Sequence, residues 1–561
     1  MMLKHSAPIS GIATLDNKLV ATCGYDNQVI LWDVLDGNPS ALGKATHDHL
    51  VNACDFSSDG KMLVTASSDY SIRVWTIPEM RLITLITTHK DDVLDVSFSH
   101  NSEFIAACSY DGTLSVHSLK GEIQCEMHGH QGLVESFAWS ADDKHVTSVG
   151  TDGTIRTWCS HTGAQVGIKD DSNTDVDAIA YLMNGDRLFG DNDGFITLMS
   201  NEQKYSFAAH ESAVKSIVVN KAGTKFVSTS YDGTLAYWYI ESDFTISAIS
   251  RTKLPQIAWP RSVSFLNETT LVMGTFGSCF LMFNLESEKW SDYEITPSSS
   301  LNAVHVSGDH IYSVGDSGVI FKNNQMVANV NSLCNTVVDF DGDIYAGGQG
   351  CQLFSVSHPS DLHFTDSPIN CAVVVRDKLV VGTYSGKMYI FEKELSGRLN
   401  KIKEVQVHEN AIKGISFDGD FVFSGCADGE LSILDIHDFD IKKSIEGAHE
   451  GILNGCAPYR DGFATISRDL HLGLWGINGL IQKVPSRHLN SIKCIASNSS
   501  GTYIATGSYT GFVDIYDLEN ACWLNKPTRL TNWGISSLDW SELEQAFYAS
   551  SYDGNLYKVE V

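Results

Sequence analysis

Proline is scarce in this chain, 11 residues in 561 beside 46 glycines. That shortage argues against a collagen-like repeat and against Pro-rich linkers. Positive charge is scarce too: 39 basic residues face 68 acidic ones, a net −29 at pH 7. Such a balance speaks against coating nucleic acid or lying on an anionic membrane, because phosphates attract basic surfaces. The thirteen cysteines include no CxxC pair, and no apolar h-region follows the opening Met-Met-Leu-Lys-His. No run approaches the ~18 apolar residues of a membrane span. Together these features predict a cytoplasmic, reducing setting with buried free thiols. Cys23 and Cys108 share one phase in "ATCGYD" and "AACSYD" and read as small core residues. What the chain does have is 43% hydrophobic residues and 10% aromatics, enough to bury a core. Its length exceeds the ~250–300 residues at which a single core stops growing. Two domains or a repeat array must follow.

Self-comparison finds the array. A histidine is followed by strand-like runs, a polar turn, an Asp-containing turn, and a third strand that ends in Trp. The complete copies are His5–Asp26–Trp32, His47–Asp69–Trp75, His130–Asp152–Trp158, His210–Asp232–Trp238 and His449–Asp469–Trp475. The His-to-Asp spacing is 20–22 residues, and Trp always falls six after Asp. Partial copies follow His89 (Asp111, with His117 at the Trp place), His408 (Asp428) and His488 (Thr510, Tyr516). Weaker units centre on Asp193, Gly277, Asp316, Gln349, Ser385 and Asp553, fourteen units in all. Segments such as "KLVATCG" and "KLVVGTY" are rich in β-branched residues, and "YDGTL" and "TDGTI" suit tight hairpins. The chain reads as all-β.

The pattern resembles WD repeats, units of about forty residues that form four-stranded blades of a β-propeller. The resemblance implies a buried hydrogen-bond chain of His, a strand Ser or Thr, Asp and Trp within each complete unit, with Ser148 and Ser228 as candidate hydroxyl partners. Rings usually hold four to eight blades, so fourteen imply two tandem seven-bladed propellers, at 1–284 and 285–561. These halves carry −14 and −15. Met1–Lys4 is expected to complete the last blade of the first ring, and "KWSDYEITP" to supply the donated strand of the second.

Repeated Ser, His and Asp at one blade phase form scaffold, since an active site is needed only once; no catalytic, cofactor-binding or metal-binding residue is assigned. No nucleophile elbow, Walker loop or dinucleotide fingerprint occurs. Asp339–Asp343 and Asp191–Gly194 read as turns without the distal Glu of a calcium loop, and His47/His49 and His128/His130 each contain a repeat-phase histidine. The candidate partner-binding residues lie before the turn Asp: Tyr25, Tyr110, Tyr231 and Phe276 in the first ring, Tyr384, Tyr509 and Tyr552 in the second. Tyrosine there offers an apolar face with a polar tip, although Tyr-Asp-Gly is also good turn sequence. "LPQIAWPRS" adds Trp259 and Arg261, and "PTRLTNWGIS" adds Arg529 and Trp533 at the equivalent place; the alternative is that each Trp plugs a blade junction. Trp139 and Trp540 read as core. The resulting expectation is a non-enzymatic, monomeric scaffold without cofactor, binding proteins with basic surfaces and neither nucleic acid nor membrane. In length and blade number the chain is similar to double-propeller actin-filament regulators. A ligand-binding or enzymatic channel is the alternative of a different class, with His305 and Asp95 as its candidates.

Overall fold

The computed structural model describes all residues except 1–2, 36, 170–173, 201–202, 242–244, 461 and 525. It contains fourteen sheets and no helix among the described residues. Twelve sheets have four strands in chain order, one gains a fifth short strand, and the last has three. The chain divides into two compact units, Met1–Ser298 and Ser299–Val561, with seven sheets each.

Burial within a blade follows strand order. The first strand, as in Val51–Phe56, alternates between buried and half-buried residues. The second, as in Met62–Ser67, is buried almost throughout because neighbouring blades cover both of its faces. The outermost, as in Leu82–Ile86, leaves alternate residues exposed. Turns after the second strand use positive backbone angles, with Gly112 at φ 79° and Gly233 at φ 74°. At Gly386 (φ 79°) close approach adds to that need, since a Cβ would stand 1.9 Å from the His408 carbonyl oxygen.

Each unit closes on itself through its first strands, each packed against that of the next blade. In the first unit, Ile9–Leu15 meets Ala258–Phe265, and Thr14 Oγ1 donates to Phe265 O at 2.7 Å. In the second, Leu301–Ser307 meets Ile535–Ser541, and Asp539 accepts the Val306 N–H at 2.7 Å.

Among the described residues the donated strands expected from the sequence are not formed. Met1 and Met2 lie outside the described residues, and Leu3–Lys4 are not in a strand. Lys289–Trp290 pairs instead with Phe283–Asn284 in its own blade, and Thr296 O accepts the Ser278 N–H at 2.9 Å. The reason is apolar: the Trp290 ring packs 4.6 Å from Phe283, which holds the segment in the first unit. The last blade of the second unit ends with Leu556–Glu560 as its third strand.

Candidate protein-docking site

The blade interior is locked by one repeated chain. Asp152 accepts from His130 Nδ1 at 3.0 Å, His130 Nε2 meets Ser148 Oγ at 2.8 Å, and Trp158 Nε1 donates to Ser148 at 2.9 Å. The same links run His5–Asp26, Thr22, Trp32; His47–Asp69, Thr65, Trp75; His210–Asp232, Ser228, Trp238; and His449–Asp469, Thr465, Trp475. With the imidazole neutral and its proton on Nδ1, the Ser148 hydroxyl donates to His130 Nε2 and accepts from Trp158, so every donor in that chain has an acceptor. Burial acts to raise the Asp69 carboxyl, but hydrogen bonds from His47, Ser71 and the Asp48 N–H outweigh it and hold it well below the usual range. Burial likewise lowers His47. These histidines and aspartates are therefore occupied within their blades.

Partial units repair the chain differently. His89 bonds Asp111 at 3.0 Å but reaches Ser115 on the third strand, because Ala107 fills the hydroxyl place. His408 and His488 keep only the Nε2 links, to Ser424 at 3.0 Å and Thr506 at 2.9 Å.

The channel-facing feature is one the sequence motifs do not mark. The pairing of first and second strands skips a residue near the start of the first strand, a β-bulge that re-aims one side chain. In the first unit the skipped residues are Ser10, Asn52, Leu94, Glu135, Asp177 and Lys215, while Arg261 lies in the longer bulge of the seventh blade. All seven line one cavity of about 240 Å³ at the ring centre. In the second unit the same position holds Asn302, Asn335, Asn370, Lys413, Asn454, Lys493 and Ser536. The asparagines latch blades together: Asn335 donates to Ile369 O at 2.9 Å and Asn454 to Ile492 O at 2.7 Å, with Asn302 and Asn370 alike. A recurring apolar-Asn step, as in "VNACDF", "CNTVVDF" and "LNGCAPY", is the signal that could have found them.

Over the first rim the turn aromatics converge. The Arg261 guanidinium lies within electrostatic range of Tyr231, Tyr110 and Tyr25, and it pairs with Glu135 at 3.5 Å. Lys215 pairs with Asp177 and lies 4.8 Å from the Tyr231 ring centre. Trp259 meets Tyr25 edge-on at 5.2 Å and stacks on Phe276 at 5.2 Å. Trp259 and Phe276 are only 7% and 4% exposed, so they form the floor of the cluster. Tyr25, Tyr110 and Tyr231, all half-buried, and the exposed Arg261 form its surface.

The second unit is arranged otherwise. Tyr509 and Tyr552 stack at 6.2 Å, and Lys413 sits 5.1 Å from the Tyr384 ring. Arg529 does not occupy the place of Arg261. It lies on an outer strand paired with Phe512, its guanidinium 5.6 Å from that ring, because its loop pairs with the preceding blade before Trp533. Trp533 is half-buried beside Gly534, where an added Cβ would stand 2.9 Å from Tyr552. Trp139 is buried, whereas Trp540 is half-buried and donates to Glu542 at 2.9 Å.

The channel candidates fall in separate units. Asp95 accepts from Ser136 Oγ at 3.1 Å, and burial pushes its carboxyl up to about 6. His305 pairs with Asp539 at 3.0 Å. Among the described residues, no group of three or more His, Cys, Asp or Glu side chains is placed to hold a metal.

The model "WD domain, G-beta repeat" matches residues 2–33, 42–76, 80–118, 121–159, 201–239, 399–435 and 480–517. The chain is a WD-repeat protein. The His449–Asp469–Trp475 blade lies between matched WD repeats, yet its hydrogen-bond chain is complete. Protein groucho of Drosophila melanogaster is 24% identical over 246 residues, covering 42% of this chain and 34% of groucho. A guanine nucleotide-binding protein subunit beta-like protein of Encephalitozoon cuniculi is 24% identical over 303 residues, 47% of this chain and 90% of that protein. The 77 kDa echinoderm microtubule-associated protein of Lytechinus variegatus is 27% identical over 263 residues, 40% of this chain and 39% of that protein. The match thus spans about a third of groucho and two-fifths of the microtubule-associated protein.

Proposed function

We propose that this WD-repeat protein is a non-enzymatic scaffold that docks partner proteins on the turn face of each propeller. The observation that carries the reading is the Tyr25–Tyr110–Tyr231 group around Arg261, over the buried Trp259–Phe276 floor. Large aromatic faces around a guanidinium on a rigid floor have the makeup of a binding hot spot. The blade histidines and aspartates are consumed by scaffold bonds, which leaves the face as the chemistry on offer. The names of two relatives, a beta-like subunit and a microtubule-associated protein, describe members of assemblies, in line with this reading.

The test compares affinity capture by the whole chain and by Y25A/Y110A/Y231A. Specific partners are expected to fall by about tenfold or more in the triple variant, with its unfolding midpoint near that of the parent. Retention of every captured partner by a folded triple variant would overturn the assignment of this face.

A further inference from the structure

The two bulge-built rims differ in charge. In the first unit, cations and carboxylates occur together and pair off, Lys215 with Asp177 and Arg261 with Glu135. The second rim contains Lys413 and Lys493 and no carboxylate at any of its seven bulge positions. Its four asparagines each donate to the next blade, and Ser536 is buried against Ser550 at 2.9 Å. The two lysines are therefore the charged groups at the bulge positions, both half-buried, while Asp316, bonded to Asn302 at 2.9 Å, and Arg468 stand at neighbouring turns. Lys493 makes no ion pair among the described residues, while Lys413 lies against the Tyr384 ring. Residues 285–561 carry −15 overall, so this is a positive spot set within an acidic unit. A low-dielectric mouth strengthens the field of such charges.

We propose that the mouth of the second unit's channel holds the carboxylate side chains of an acidic peptide segment, with Lys413 and Lys493 as the counter-charges and Tyr384 and Tyr509 as the apolar wall. The lysines sit in the fourth and sixth blades, with Asn454 between them. Charges spread in this way, with tyrosine faces beside them, suit carboxylates spaced along an extended chain better than one compact anion. The chemistry differs from the expectation of basic partners, which follows from net charge alone. The proposal rests on reading the turn faces as docking surfaces and names the partner chemistry for one of them.

The test uses the full chain and a labelled peptide of alternating Glu and Gly, with the Lys–Gly peptide and inorganic phosphate as comparison arms. The acidic peptide is expected to bind, to weaken as salt rises, and to lose about tenfold or more affinity in K413Q/K493Q. K442Q, on the outer strand of the Lys413 blade, keeps parental affinity. If K413Q/K493Q lowers the unfolding midpoint, the charge-keeping K413R/K493R decides: retained binding supports the proposal and loss overturns it. Absence of binding by the parent, equal binding by folded K413Q/K493Q, equal binding of the Lys–Gly peptide, or displacement by phosphate at matched carboxylate concentration each overturn it. Should that happen while Y25A/Y110A/Y231A still sheds partners, only the second-rim assignment falls.

Discussion

Replacing Asp152 by Ala is expected to destabilise the first unit by about 3–5 kcal/mol, because it strands several donors at once and each buried donor without an acceptor costs about 1–3 kcal/mol. The Asp152 side chain is 8% exposed and accepts from His130 Nδ1, the Gln131 N–H at 2.9 Å, the Thr154 N–H at 3.0 Å and Thr154 Oγ1 at 2.8 Å. Alanine leaves those donors behind in a place water reaches poorly. The loss also removes the carboxylate that bridges Gln131 to Thr154, leaving the loop before the first strand tied to the turn after the second through Leu133 and Thr151. Asp152→Asn should cost less, since one oxygen can still accept from His130. Asp428 occupies the same repeat phase but is exposed and accepts the Glu430 N–H at 3.0 Å; Asp428→Ala should cost well under about 1 kcal/mol. Thermal and urea unfolding of the three variants measure this. Comparable losses for Asp152→Ala and Asp428→Ala would show that the chain is not what holds the blade.

That contrast also explains what the sequence could reveal. The His, Asp and Trp spacing is readable because each member must meet the next within a blade of fixed geometry, so chemistry and spacing repeat together. Fourteen blades follow from the same period. The rims are not readable in this way, because a bulge is set by how two strands pair, and the residue it exposes varies freely: Glu135, Asp177 and Lys215 in one unit, Asn454 and Lys493 in the other. Similar Trp and Arg content made the loops before Arg261 and Arg529 look equivalent. The first returns into the channel through a long bulge, however, while the second pairs at the outside of the preceding blade. Lys289–Trp290 shows the same limit: its strand character was legible, but its partner was decided by where Trp290 finds Phe283. Tertiary packing decides such choices, and local pattern carries little trace of it.

Incomplete chains make the scaffold sensitive to acid, and His488 is where the effect can be isolated. It is 4% exposed, meets Thr506 Oγ1 at 2.9 Å, and lacks a hydrogen-bond partner for Nδ1 among the described residues. Burial, only partly opposed by the charge of Asp514, pushes it down to about 4. Unfolding releases the imidazole to its ordinary value near ~6.5, so below that pH the unfolded chain binds the extra proton. Stability from this group is therefore complete above pH ~6.5 and is lost as pH falls towards the folded value, by about 2 kcal/mol at pH 5 and about 3 kcal/mol at pH 4. Other groups titrate in the same window. Burial raises Asp55 to about 7 and Asp95 to about 6 in the first unit, and acid relieves them; in the second, His305 is raised, with Asp539 and Asp339 overcoming its burial. The total pH profile mixes opposite signs, so the comparison is made between parent and His488→Gln, which keeps a polar side chain beside Thr506 and cannot titrate. Between pH 7 and 5 the parent is expected to lose about 2 kcal/mol more than the variant in the unfolding step assigned to the second unit. Parallel pH profiles would mean that His488 already titrates near its ordinary value in the fold, and that its blade is open to water at the place where the missing aspartate would have stood.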